Sequence, residues 1–335
     1  MDNPFLVEVT RGPLVESRHR GSVSVVDSEG AAVLSIGDVD RRVFPRSAVK
    51  ALQALPLLER GIADKYGLTD EEIALACASH SGEPDHVRVA SSMLAKAGQD
   101  AGCLECGTHW PMGEVANRAL AAEGGAPNAL HNNCSGKHAG FICLACGTGE
   151  DPKGYVSAHH PVQRMVREAL EDITGACHTM EKSGIDGCSI PTYAIPLPSL
   201  AFGFAKFGSG AHLPSETKAA AERIRKAVAA HPFMVAGTGR FDTKLMEILK
   251  ERVFVKVGAE GVYCASFPEL GYGVALKADD GHVRAAEIMM AGLVLRFLPL
   301  NDQERIAVEA LARPVFKNWN GLEVGSMRAT PALMG

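Results

Sequence analysis

The chain contains no long apolar run. Its longest stretches, Ile288 to Leu295 among them, are far short of the ~20 residues that a membrane-crossing helix needs, so no such helix is expected. The first residues, Met1-Asp2-Asn3-Pro4-Phe5, show no charged-then-apolar leader, and a cytoplasmic location is expected. Lys and Arg form no basic cluster or long run, which removes the electrostatic reason to look for nucleic acid. There is no internal repeat and no low-complexity tract. Nine cysteines are an odd count, so a closed disulfide framework is not expected. Free thiols or metal ligands in a reducing compartment fit better.

What is present is the composition of a soluble globular protein: 46% hydrophobic, 22% charged, with a formal net charge of -5. At 335 residues it suits one large domain or two smaller ones. Short β-branched runs open the chain, at Leu6–Val9, Ser22–Val26 and Ala32–Ile36, separated by turn signals such as Ser28-Glu29-Gly30. Helical periodicity takes over at about Arg46. Thr69-Asp70-Glu71-Glu72 has the form of a capping box opening a helix through Ala78. Further helices are expected at 85–97, 113–122, 161–173, 215–230 and 242–250. Strand chemistry returns at Val253–Val257 and Val262–Phe267, then at Tyr272–Lys277 and Val283–Ala285. Helices at 286–297 and 303–312 follow. The expected fold class is α/β, a mixed sheet with packed helices. Residues 1–45 and 251–335 would build the sheet domain from both termini, and 46–250 would be a mainly helical insert. The active site would lie at their junction.

Arg46-Ser47-Ala48-Val49-Lys50 places a serine three residues before a lysine, at the head of a helix-periodic segment. Positions i and i+3 share a helix face. A serine hydroxyl becomes a nucleophile when a base takes its proton, and a lysine serves as that base only as a neutral amine. Two more segments fit the pair. Ser79-His80-Ser81-Gly82 begins a loop after an apolar helix, and Lys256-Val257-Gly258 ends a strand. Acyl-serine enzymes of the penicillin-binding type carry S-x-x-K, S-D-N and K-T-G in this chain order. Two lysines in one cleft would repel, favouring a neutral amine on one of them.

Two polar segments remain, His131-Asn132-Asn133-Cys134-Ser135-Gly136-Lys137-His138 and Asp186-Gly187-Cys188-Ser189. Thiolate and imidazole suit zinc, so donor chemistry alone would bring Cys134, His138 and Cys188 together. Two C-x-x-C pairs, Cys103/Cys106 and Cys143/Cys146, read more readily as core thiols than as ligands, and Cys77, Cys177 and Cys264 as packing residues.

Taken together, Phe44–Lys50, Cys77–Glu83, His131–Gly140, Asp186–Pro191 and Asn318-Trp319-Asn320-Gly321 resemble the rhizobial-type, or class 3, L-asparaginases over about residues 5–330. The resemblance implies a serine-β-lactamase-like, penicillin-binding-like fold, a homodimer, and hydrolysis of L-asparagine to L-aspartate and ammonia. It implies catalytic tandems of Ser47 with Lys50 and Ser79 with Lys256, and substrate contacts from Arg46, His80 and Asp186. It also implies one Zn²⁺ per chain on Cys134, Lys137 and Cys188, with water as the fourth ligand. On that point it replaces His138 by Lys137. The zinc would aid substrate binding and would not generate the nucleophile. A glutaminase, a β-lactam or peptide acylase, and a zinc-dependent amino-acid sensor without turnover are the competing functions.

Overall fold

A computed structural model describes residues 2–335. The fold is of the mixed α/β class expected. Its principal sheet has eight strands, in the order Val315–Lys317, Glu323–Ala329, Phe5–Arg11, Leu14–Val26, Tyr272–Ala278, Val262–Phe267 and Phe254–Val257. Ala32–Ile36 pairs separately with Leu14–Val26. All neighbours run antiparallel. The long strand Leu14–Val26 curls the sheet. Its first part pairs with Phe5–Arg11 and its second part, from Gly21, with Tyr272–Ala278. Changing partner along one strand lets the strong natural twist of antiparallel pairs accumulate.

Phe254–Val257 and Val262–Phe267 are buried at every residue. Strands covered on both faces lose the in-out alternation of a half-exposed sheet. Helices Leu197–Ser209 and Val283–Phe297 pack against them. Phe204 and Phe207 of the first close on Phe254, with ring centroids 5.9 and 5.1 Å away.

The Thr69 capping box is complete. The Glu72 N–H donates to Thr69 Oγ1 at 3.4 Å, and the Thr69 N–H donates to Glu72 Oε2 at 2.7 Å. That helix, Asp70–Ala76, is two residues shorter than expected, and the chain leaves it through a turn at Cys77 that leads to Ser79. Val283–Ala285 is not a strand. It is the first turn of Val283–Phe297, whose N-cap His282 accepts the Arg284 N–H. Three apolar residues are too few to separate the two periods. Three further parts of the fold were unexpected: helices Ser135–Thr148 and Leu197–Ser209, and the strand pair Val315–Lys317 with Glu323–Ala329. Ser135–Thr148 is buried from Ser135 through Ala145, so it has no polar stripe to reveal a period. Glu323–Ala329 has weak strand character and is held by Phe5–Arg11 from the other end of the chain. Cys177 is exposed, not a packing residue as expected.

Ser135–Thr148 runs closely against Asp70–Ala76, and Gly136 permits it. A β-carbon there would fall 2.4 Å from both the Leu75 side chain and the Leu75 carbonyl oxygen. Gly136→Ala should therefore destabilise the protein by about 1–3 kcal/mol through overpacking. Urea unfolding of the variant measures this, and wild-type stability would mean the two helices part freely.

Candidate active site

Ser47 lies in a 3₁₀ turn, Arg46–Val49, and Lys50 opens the short helix Lys50–Gln53. In a 3₁₀ turn residues i and i+3 eclipse, so the two still share a side. Yet Lys50 does not hydrogen-bond Ser47. Its Nζ donates to Ser79 Oγ at 2.9 Å, to Cys134 Sγ at 3.1 Å, and to the Ala78 carbonyl. Ser79 is buried, with its N–H on the Val235 carbonyl at 2.9 Å, whereas Ser47 is half-exposed.

The contacts continue. Cys134 is the N-cap of Ser135–Thr148 and Lys137 stands in its first turn. Cys188 lies in the turn joining Ser183–Ile185 to Pro191–Tyr193. Lys137 Nζ donates to Cys188 Sγ at 3.0 Å, and the Cys188 thiol acts on the neighbouring Cys134. Two residues before Cys188, Asp186 Oδ1 accepts Arg46 Nε at 3.0 Å and Nη2 at 2.8 Å. A polar path, hydrogen-bonded at some steps and coupled by charge at the others, thus links Arg46, Asp186, Cys188, Lys137, Cys134, Lys50 and Ser79, drawn from four distant stretches of sequence. Lys137, not His138, reaches the thiols. His138 Nδ1 instead bonds the Tyr155 hydroxyl at 2.6 Å.

The charges in this path are buried. Lys50, Lys137 and Lys256 are 1%, 2% and 0% exposed, where lysine almost never goes unpaired. The Cys188 thiol and the Lys50 and Lys137 charges hold Cys134 well below the usual thiol range, against burial. Cys188 moves up, through Cys134 and then burial. Burial works against the charge on Lys137, but the two sulfurs outweigh it and raise its pKa. Burial would also raise Asp186, but Arg46 and Lys137 hold it below the ordinary carboxylate range. Arg46 takes φ +52° and Ser189 φ +76°, so two non-glycine residues bordering the path carry left-handed backbone. Such strain persists only where the surroundings over-determine it.

Lys256, on Phe254–Val257, approaches from the sheet. Gly258 lets this strand meet the Ser47 turn, since a β-carbon there would lie 2.6 Å from the Pro45 carbonyl oxygen. Lys256 Nζ donates to the Val257 carbonyl at 2.9 Å and does not bond Ser79. Burial pushes its pKa down to about 7, Asp242 opposes this, and Lys50 and Arg240 reinforce it. Asp242 Oδ2 is 3.8 Å from Lys256 Nζ. The same carboxylate accepts the Val257 N–H at 3.2 Å and the Tyr263 hydroxyl.

His80 offers no free ring nitrogen. Nδ1 accepts the Gly82 N–H at 3.1 Å, and Nε2–H donates to Ser135 Oγ at 2.9 Å. Its ring stacks on His86 at 4.8 Å, and His86 on Phe233 at 4.5 Å. His80 therefore supports the Ser79 loop from behind. Among the described residues no group of three or more His, Cys, Asp and Glu side chains could hold a metal. Any ion here depends on the two thiols and Lys137.

The sequence profile of the L-asparaginase II family matches residues 7–329. The chain belongs to the L-asparaginase II family. It is accordingly an amidohydrolase, an L-asparaginase. No curated protein sequence matches it. Among solved structures it is similar to a β-lactamase from Mycobacterium bovis, with 12% identity, 79% of this chain and 89% of the other covered, and a TM-score of 0.39. A D-alanine carboxypeptidase from Burkholderia cenocepacia gives 12%, 79% and 91%, with a TM-score of 0.37. The protein Mglu in its L-glutamate-binding form gives 14%, 90% and 65%, with a TM-score of 0.41. Likeness at this level says nothing about what this chain binds. No helix among the described residues is long and apolar enough to cross a membrane.

Sequence reasoning did not find Asp242, Tyr263 or His86. Each acts on a partner brought close only by folding, and none stands in a recognisable spacing with it. The asparaginase should be acid-labile through the stacked histidines. Burial holds His80 well below, and His86 below, the ordinary value of 6.5. For a depressed histidine the unfolded chain binds the extra proton, so the stabilisation is complete above 6.5 and is lost as pH falls below it. Urea midpoints measured from pH 7.5 to pH 4.5 should fall less steeply in His86→Phe than in wild type, and parallel slopes would contradict this.

Proposed function

We propose that this asparaginase works by a serine acyl-enzyme, with Ser47 as nucleophile, Lys50 as its base, and Ser79 and Lys256 moving protons. The observation that carries the reading is the buried Lys50–Ser79 hydrogen bond beside the Ser47 turn. Ser47 Oγ attacks the side-chain carboxamide carbon of asparagine, and its proton passes to Lys50 as Lys50 gives one of its own along its hydrogen bond to Ser79. The tetrahedral oxygen forms at the head of the turn, where backbone N–H groups stabilise developing charge. The C–N bond breaks, a proton relayed through Ser79 completes ammonia, and an aspartyl ester remains on Ser47. Water then cleaves the ester, releasing L-aspartate and returning the serine its proton. Ser47 is chosen because a substrate can reach it, while Ser79 is 6% exposed and already holds Lys50.

A second reading makes Ser79 the nucleophile, since Lys50 bonds that hydroxyl directly. Ammonia release from L-asparagine, with L-glutamine and a β-lactam as control substrates, tests both. Folded Ser47→Ala should lose at least about 10³-fold in kcat, and Lys50→Met nearly as much. Ser79→Ala should lose less. If Ser47→Ala keeps near-normal turnover while Ser79→Ala is dead, the second reading stands.

Cys134, Lys137 and Cys188 suit one zinc ion. Two soft sulfurs and an amine meet in a buried pocket, where Lys137 Nζ already lies 3.0 Å from Cys188 Sγ. When bound, the metal would supply a positive, electron-accepting centre for the α-carboxylate end of the substrate, or for its α-amino group once deprotonated. Arg46 and Asp186 border the same position and orient that end. Chelation should therefore raise KM more than it lowers kcat. Zinc retention on dialysis should fall below neutral pH, as the sulfurs and the lysine take up protons. Unchanged asparagine binding with complete loss of turnover would overturn the positioning role. The homodimer belongs to the same reading, and light scattering checks it.

A further inference from the structure

We propose that Asp242, clamped by Tyr263, is the positioning residue of Lys256. The proposal rests on Lys256 taking part in the reaction as given above.

Asp242 stands in the first turn of Phe241–Leu249, and its carboxylate joins three elements. Oδ2 accepts the Val257 N–H of the lysine's own strand at 3.2 Å, and Oδ1 accepts the hydroxyl of Tyr263 on the neighbouring strand. Val257 and Tyr263 face each other in the sheet register. The Phe241 ring packs edge-on against Tyr263, with centroids 5.7 Å apart. The carboxylate is thus immobilised on both oxygens.

Lys256 is held differently. At 3.8 Å from Oδ2 its Nζ feels the charge of Asp242 without a hydrogen bond to it, and its one short contact is the Val257 carbonyl at 2.9 Å. A fixed counter-ion just beyond bonding distance holds the amine at the end of its strand, which packs on the Ser47 turn, and leaves its proton free to transfer. Stability does not account for the arrangement. Replacing a buried ion pair by apolar groups of similar volume is often neutral or stabilising. Asp242 and Lys256 are 2% and 0% exposed, so the pair carries the full desolvation penalty.

Several other groups act on this pair. Lys50, Arg240 and Cys134 act on Lys256, Glu287 and Arg240 act on Asp242, and Cys77 and Cys264 feel Lys256. All stay constant in the variants below. The charge of Asp242 favours protonated Lys256, so removing it moves the ascending limb of kcat against pH toward acid.

The test is steady-state ammonia release across pH with folded enzyme. Asp242→Asn should lower kcat about ten- to a hundredfold with KM within about twofold, and should shift the limb acidward. Asp242→Glu should recover part of both effects. Tyr263→Phe, a milder change, should lower kcat about two- to fivefold. Wild-type kcat with an unmoved limb in Asp242→Asn overturns the proposal. So does an equal loss in the Asn and Glu variants with the limb unmoved, which marks a merely structural role. If Asp242→Asn does not fold, an unaltered Tyr263→Phe overturns it. Full turnover in Lys256→Met would instead remove the reading beneath it, so the two failures are distinguishable.

Discussion

Lys50 Nζ joins Ser79 Oγ to Cys134 Sγ, and the rest of the site is arranged around that contact. A buried amine between a hydroxyl and a sulfur is expensive to desolvate unless each of its directions is used. Here all three are, the third by the Ala78 carbonyl. The same logic runs outward. Cys134 is stabilised as an anion by the Cys188 thiol and two lysines, and it caps a fourteen-residue helix whose positive end favours a thiolate. Lys137 is stabilised in turn by Cys188. Removing any one member leaves another buried and unpaired.

Such a network needs rigid support at close range, and the backbone provides it through small residues and tolerated strain. Gly136 brings the helix that carries Cys134 and Lys137 onto Asp70–Ala76, just before Ser79. Gly258 brings the Lys256 strand onto the Ser47 turn. Arg46 accepts a left-handed backbone so that its guanidinium can grip Asp186 across 140 residues of chain. The His80–His86–Phe233 stack braces the Ser79 loop.

Lys50 and Lys256 are held by opposite means. Lys50 is enclosed by short polar contacts. Lys256 is enclosed by apolar strands, with one carboxylate at 3.8 Å, and burial brings its pKa to about 7. A group poised near neutrality exchanges protons readily in both directions, whereas a tightly bonded one transmits them along a fixed line. The acyl-serine mechanism proposed above uses both, because in it the serine must lose a proton and the leaving amine must gain one.

The sequence by itself determined the local elements with strong short-range signals. The Thr69 capping box, the 215–230 helix and the Val262–Phe267 strand all form where their patterns put them. It also carried the residue types of the site, in segments long enough to resemble a family that the chain does belong to. Tertiary structure decided which of those residues touch. The Ser47-to-Lys50 spacing is local and legible, but Lys50 bonds Ser79, 29 residues away, because the chain leaving Asp70–Ala76 passes beside it. Donor chemistry alone pointed to His138 beside the thiols, and Lys137 reaches Cys188 instead because helix phase turns His138 toward Tyr155. Asp242, Tyr263 and the terminal strand Glu323–Ala329 left no mark in the sequence. Their partners lie across the sheet or at the far end of the chain, and such contacts are set by packing geometry, which has no period to read.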